Sequence, residues 1–148
     1  MRLSTRSRYG TRMVLDMALY GTEGLVRLSD LATRLDVSVK YLEKLVRELQ
    51  KAGYVYSKRG PMGGHGLARD AAGISVGEVV RLLEGDHALT MCAQEDKGCK
   101  HVDDCIMRRV WADASEAMFA ALDAVTFADL VREAKDKQFS CDFSLKEL

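Results

Sequence analysis

The sequence predicts a mainly α-helical fold: a winged helix-turn-helix with a small β-hairpin wing, followed by a long C-terminal helix for dimerisation. Three observations carry this. Two helical stretches are separated only by a short break at 36–38. A basic, glycine-rich hairpin follows them directly, and beyond it an apolar stripe recurs at helical spacing.

From Tyr9 to Tyr20, Met13, Val14, Met17 and Ala18 fall on one helical face and Arg8 and Arg12 on another, which predicts a first helix. In the next helical stretch Ser29 is the expected N-cap, and Leu31, Ala32 and Leu35 are the expected buried residues. Ser38 then opens a helix with Val39, Leu42, Leu45, Val46 and Leu49 on the buried side; Lys40, Tyr41, Glu43, Lys44, Arg47 and Lys51 are left outward, and Gly53 stops it. The segment from Gly53 to Arg69 reads as a hairpin whose tip is Arg59-Gly-Pro-Met-Gly-Gly. Ser75-Val-Gly-Glu78 is a capping box that starts a short helix ended by Gly85.

Residues 86–104 lose periodicity and read as a loop built around something. From Cys105 to Val125 the pattern returns through Val110, Trp111, Ala114, Met118, Ala121, Leu122 and Val125. A helix of this length is a rod of about 30 Å, and its apolar stripe calls for a partner surface such as a second copy of the chain. Thr126-Phe-Ala-Asp129 is a second capping box, opening a last helix through Leu130, Val131 and Ala134. The expected division is therefore a winged-helix domain at 1–85, a cysteine loop at 86–104, the two C-terminal helices at 105–137 and a polar tail at 138–148.

The chain of 148 residues, 47% hydrophobic and 30% charged, has room for one core and an appendage but not for two large domains. No apolar run approaches the roughly 18 residues of a membrane span, and the amino terminus lacks a signal-peptide core, so a cytoplasmic, membrane-free protein is expected. There its four cysteines are expected to be thiols, metal ligands or redox centres rather than disulfides. Net charge is zero, but residues 1–69 hold 13 basic against 6 acidic side chains and residues 70–148 hold 9 against 16. A basic amino half suits a polyanion-binding module joined to an acidic part with another task.

The outward residues near the start of the second helix of the helix-turn-helix, Ser38, Lys40, Tyr41, Glu43 and Lys44, are placed to read base edges in the major groove of double-stranded DNA. In the wing, Arg59 can enter a narrow minor groove or meet phosphates, while Gly63 and Gly64 let the backbone come close. The tip matches neither a Walker loop nor a complete dinucleotide fingerprint. A DNA-binding protein is expected, and no enzyme.

Cys92, Cys99 and Cys105 are spaced C-x6-C-x5-C. Three thiolates from one loop can wrap an iron-sulfur cluster while a fourth ligand comes from elsewhere. Zinc is the metallic competitor, although the close C-x2-4-C pairs of structural zinc sites are missing; a thiol switch without metal is another reading. Cys141 reads as an incidental thiol.

The opening Met-Arg-Leu-Ser-Thr-Arg-Ser-Arg-Tyr-Gly, Tyr41-Leu-Glu-Lys-Leu, Arg59-Gly-Pro-Met-Gly-Gly, the Ser75-Val-Gly-Glu-Val helix, the three cysteines and Trp111 together resemble the Rrf2 family of winged-helix regulators over nearly the whole chain. That resemblance implies a transcription regulator, a repressor, acting as a homodimer on a palindromic operator. It also implies a recognition helix in the major groove, the wing arginine in the minor groove, and a 2Fe-2S or 4Fe-4S cluster sensing iron, redox or nitric oxide. Two positions depart from the family pattern. A histidine ligand near 108 is replaced by Arg108, and an aspartate near position 8, lent by the partner, by Arg8. Candidates for the fourth ligand are Asp96, His101, Asp103, Asp104, another residue of the partner, or a small exogenous ligand. The wing carries His65 where an aromatic residue is common in the family. The competing readings are a cluster-free regulator of the same fold, answering to a protein partner or thiol oxidation, and a small electron-transfer protein.

Overall fold

The structure is a computed structural model and describes residues 3–21, 24–85, 90 and 104–136. Helix α1 spans Thr5–Tyr20. It starts one turn before the expected Tyr9 because Ser4 caps it by accepting the Ser7 N–H. That first turn is polar and leaves no apolar rhythm to read. Met13, Val14 and Met17 of α1 are buried at the centre of the core.

Helix α2, Leu28–Leu35, is entered from Arg27, not from Ser29. Arg27 is the N-cap residue but makes no side-chain cap, and Ser29 lies inside the first turn, where its hydroxyl donates to Asp30. The expectation at Ser29 fails because Leu28 is already helical, packed against the core. Asp36 turns left-handed at φ 51°, closing α2 through its N–H to Ala32 and Thr33 carbonyls. Ser38 then caps α3, Val39–Lys51, by accepting the Tyr41 N–H. Leu42, Leu45, Val46 and Leu49 are buried as expected; Val39, at the first turn, is exposed instead.

Strands β1 (Val55–Lys58) and β2 (Gly64–Leu67) form the antiparallel wing with Val55 opposite Leu67 and Ser57 opposite His65. On its other side β2 exchanges both backbone hydrogen bonds between His65 and Val26, at 2.9 and 2.8 Å. The wing's base is thereby held from two directions. After a 3-10 turn at Ala71–Gly73, α4 (Val76–Glu84) begins with the complete Ser75/Glu78 capping box and meets Gly85 at φ 84°.

Helix α5 covers Ile106–Asp123 and α6 covers Phe127–Asp136, the latter opened by reciprocal Thr126/Asp129 hydrogen bonds. Backbone bonds from Val76 to the Val125 carbonyl and from Phe127 to the Ile74 carbonyl stitch the α5–α6 corner to the start of α4. Phe127 is fully buried in the same cluster as Met13, Leu45 and Leu83. The last helix is thus part of the winged-helix core, and the carboxyl-terminal end of α5 is fixed to it.

Candidate DNA interface and cysteine site

On α3, Lys40, Glu43 and Lys44 are exposed and share the outer face with Arg47. This places a mixed set of donors and acceptors on the helix that follows the turn. Ser38 is exposed, but its hydroxyl is engaged as the α3 cap.

Tyr41 departs from its expected outward position. Its ring meets Tyr9 of α1 edge-to-face, centroids 5.8 Å apart, and its hydroxyl is buried without a hydrogen-bond partner among the described residues. Burial first, and Tyr9 second, raise its pKa above the ordinary tyrosine value. Residue spacing on α3 alone could not reveal this, because the surface covering Tyr41 belongs to α1.

The wing is ordered by contacts that the sequence did not advertise. Arg27 donates through Nη2 to the Pro61 carbonyl at 2.7 Å, tying the start of α2 to the wing tip. Gln50 near the end of α3 donates to the Ser57 hydroxyl, which lies 2.6 Å from His65 Nδ1. Partial burial lowers the His65 pKa, so the imidazole is neutral at neutral pH. The Ser57 hydroxyl and His65 Nδ1 share one hydrogen bond, so Gln50, Ser57 and His65 link recognition helix to wing. At the tip Arg59, Pro61 and Met62 are exposed, Gly60 adopts φ 117°, and Gly63 donates to the Gly60 carbonyl at 2.9 Å. A Cβ on Gly63 would lie 2.3 Å from the Lys58 carbonyl oxygen, so only glycine fits this turn.

Between α1 and the helix-turn-helix, Asp16 of α1 is fully buried and accepts two hydrogen bonds from Arg34 of α2, at 2.6 and 2.7 Å. The Arg34 guanidinium also stacks over Tyr20, 4.6 Å from the ring centroid. The bidentate pairing with Asp16 raises the Arg34 pKa, so this cation stays charged throughout.

Cys105 is half-buried and is the N-cap residue of α5, its carbonyl accepting the Arg108 N–H at 3.1 Å. Cys92, Cys99 and Cys141 lie outside the described residues, as do Asp96, His101 and Asp103. Asp104 is exposed beside Cys105, and Arg8 is exposed on α1. Among the described residues no three metal-ligating side chains gather in one place. The donor chemistry nonetheless fits an iron-sulfur cluster: Cys105 is a free thiol, and the sequence before it contains two more cysteines, Cys92 and Cys99, whose thiolates are of the soft type such clusters take. Beyond Cys105, α5 exposes Ile106, Met107, Val110 and Trp111. Farther along, Phe119 is buried beneath the Arg81 guanidinium, 4.3 Å from its ring centroid.

A helix-turn-helix with a clamped basic wing defines a winged-helix DNA-binding protein. The chain belongs to the Rrf2 family, described as iron-dependent transcriptional regulators, which it matches over residues 3–133. It is a transcription regulator and not an enzyme. It is 48% identical over 134 residues to protein rrf2 of Nitratidesulfovibrio vulgaris, covering 90% of this chain and 89% of that one. With the transcriptional regulator IscR of Serratia proteamaculans it shares 40% identity over 131 residues, 88% of this chain and 79% of the relative. Among solved structures it resembles T. potens IscR, with TM-score 0.77 and 33% identity over 95% of this chain and 93% of that one. CymR, the global cysteine regulator of B. subtilis, superimposes with TM-score 0.76 and 30% identity over 90% and 98% of the two chains. No helix among the described residues is long and apolar enough to cross a membrane.

Proposed function

We propose that this protein is a cytoplasmic repressor whose binding to a palindromic operator is controlled by an iron-sulfur cluster on Cys92, Cys99 and Cys105. Lys40, Glu43 and Lys44 read the major groove, with Ser38 at the helix start, and Arg59, carried on the Gly63 turn, reaches the minor groove. Two copies pair through the exposed face of α5, and the two-fold axis of the pair matches the two half-sites of the operator.

The observation that carries this reading is the position of Cys105. It is the first residue of the corner from which α5 starts, next to the exposed Ile106 and Met107, while the far end of α5 is held to α4 by Arg81 and Asp123. A bound cluster supplies a centre that iron supply, oxidation or nitric oxide can alter. A change in how Cys105 is held is passed to the pairing face of α5 and so to the separation of the two wings. The effect on DNA requires that the two arrangements of the dimer hold the cluster with different affinity. With Arg108 and Arg8 at the two departing positions, the fourth ligand comes from Asp96, His101, Asp103, Asp104, a partner residue or an exogenous ligand.

The free thiol of Cys105 leaves a second reading, a cluster-free regulator of the same fold answering to a protein partner or to thiol oxidation. Anaerobic purification separates the two. A brown protein whose visible absorbance is lost in Cys92→Ala supports the cluster; a colourless protein, or one loaded with zinc, overturns it.

A further inference from the structure

Met62 is 85% exposed, the most exposed large hydrophobic residue among those described. A single apolar side chain in water is ordinary. Its setting is not that of an idle loop tip. Met62 follows Pro61 and stands three residues from Arg59, in the turn that joins the two strands of the wing. The turn beneath it is fixed three times over. Gly60 holds φ 117°, Gly63 closes the turn onto the Gly60 carbonyl, and the Arg27 guanidinium grips the Pro61 carbonyl at 2.7 Å. The strands below are anchored to Val26 on one side and, through Ser57, to Gln50 on the other. An unbranched thioether on a rigid, basic tip has the properties of an apolar wedge, the kind of side chain that enters the minor groove and partly unstacks a base step.

We propose that Met62 is a specificity-determining residue: presented by the Arg27-clamped tip, it presses into the minor groove and makes operator affinity depend on how readily the base step beneath it deforms. This rests on the reading of the wing as a minor-groove element. Arg59 supplies the electrostatic attraction, which is tolerant of sequence, and Met62 adds indirect readout at a position where no base edge is hydrogen-bonded. Pyrimidine–purine steps unstack readily and A-tract steps resist, so the two differ in what they cost the complex.

The test uses the full chain, purified anaerobically, and a 40-base-pair duplex recovered by selection from a randomised pool, with the wing-facing step located by hydroxyl-radical footprinting. Two versions of that duplex carry TA or AA at this step. Wild-type protein should bind the TA version about ten-fold more tightly and bend it more in a circular-permutation assay. In Met62→Gln, which keeps length and removes the apolar end, the ratio should fall close to one and the extra bend should vanish. An unchanged ratio and bend in Met62→Gln, with Arg59→Ala weakening both duplexes, overturns the wedge and leaves the wing reading standing. If Arg59→Ala also binds both duplexes undiminished, the wing does not enter the groove and both readings fall.

Discussion

Arg81 and Asp123 meet through two parallel hydrogen bonds of 2.6 Å, so the last residue of α5 is locked to α4. Ser75, the N-cap of α4, adds a 3.4 Å contact to the same carboxylate, and the Arg81 guanidinium covers Phe119. This is the fixed end of the helix whose other end begins at Cys105, and it sets where α5 can pivot.

The close approach at this joint depends on Gly77. A Cβ there would stand 2.0 Å from Asp123 Oδ1, so Gly77→Ala must displace the carboxylate from Arg81. The expected cost is about 1–3 kcal/mol by urea unfolding. Because both changes break one pair, Gly77→Ala combined with Asp123→Ala should cost clearly less than the sum of the single effects. Additive costs would show that the glycine does not act through the pair.

The Arg81 pairing lowers the Asp123 pKa below its ordinary 3.8. A depressed carboxylate pKa gives stability that is complete above the unfolded value and is lost as pH falls through the folded one. The difference in stability between wild type and Asp123→Asn should therefore hold steady from neutrality down to about pH 4 and shrink below it. With both side chains partly exposed, the contribution at neutral pH is about 1 kcal/mol. A difference that grows on acidification would contradict this.

The buried Asp16–Arg34 pair should matter more. Asp16→Ala removes the partner of a guanidinium packed under Tyr20, at an expected cost of about 3–5 kcal/mol in denaturant unfolding. A loss below about 1 kcal/mol would mean that Arg34 finds water easily. Operator binding by the surviving folded fraction should also weaken, since this pair sets α2 against α1.

Ser38 has two roles to separate. As the α3 cap, its loss in Ser38→Ala should cost about 1 kcal/mol, whereas Ser38→Asn, another good cap, should restore most of the stability. If Ser38→Asn is as stable as wild type yet binds operator weakly, the hydroxyl also meets DNA. Equal affinity would confine Ser38 to capping.

The exposed start of α5 gives the oligomer its test. Val110→Glu places a charge among Ile106, Met107 and Trp111 without touching the core, and if two copies pair through this face, light scattering should find a dimer for wild type and a monomer for the variant. A dimer that survives this change pairs through another surface.

Much of the fold was legible because its punctuation is local. Ser38, the Ser75/Glu78 box, the Thr126/Asp129 box and Gly85 each act within four residues of themselves, and all sit where the sequence places them. Ser29 misled because a plausible cap residue preceded the buried Leu31 while Leu28 had already joined the helix. What sequence could not show were partnerships between distant residues. Asp16 with Arg34, Arg81 with Asp123 and Arg27 with Pro61 are each made of ordinary polar residues whose meeting depends on the packed helices. Tyr41 belongs with them, turned inward by Tyr9 from another helix. Of the cysteine site the motif was readable, while the structure adds only the place of Cys105 at the head of α5, since Cys92 and Cys99 lie outside the described residues.

The most direct test compares operator affinity of one anaerobic preparation before and after the cluster is removed with an iron chelator, with Cys105→Ser as the permanently stripped reference. Cluster control requires the affinity to change by about 5- to 150-fold, in step with the loss of visible absorbance, and the stripped protein to match Cys105→Ser. Equal affinity in both forms, or an affinity that follows thiol oxidation with no iron bound, would contradict it.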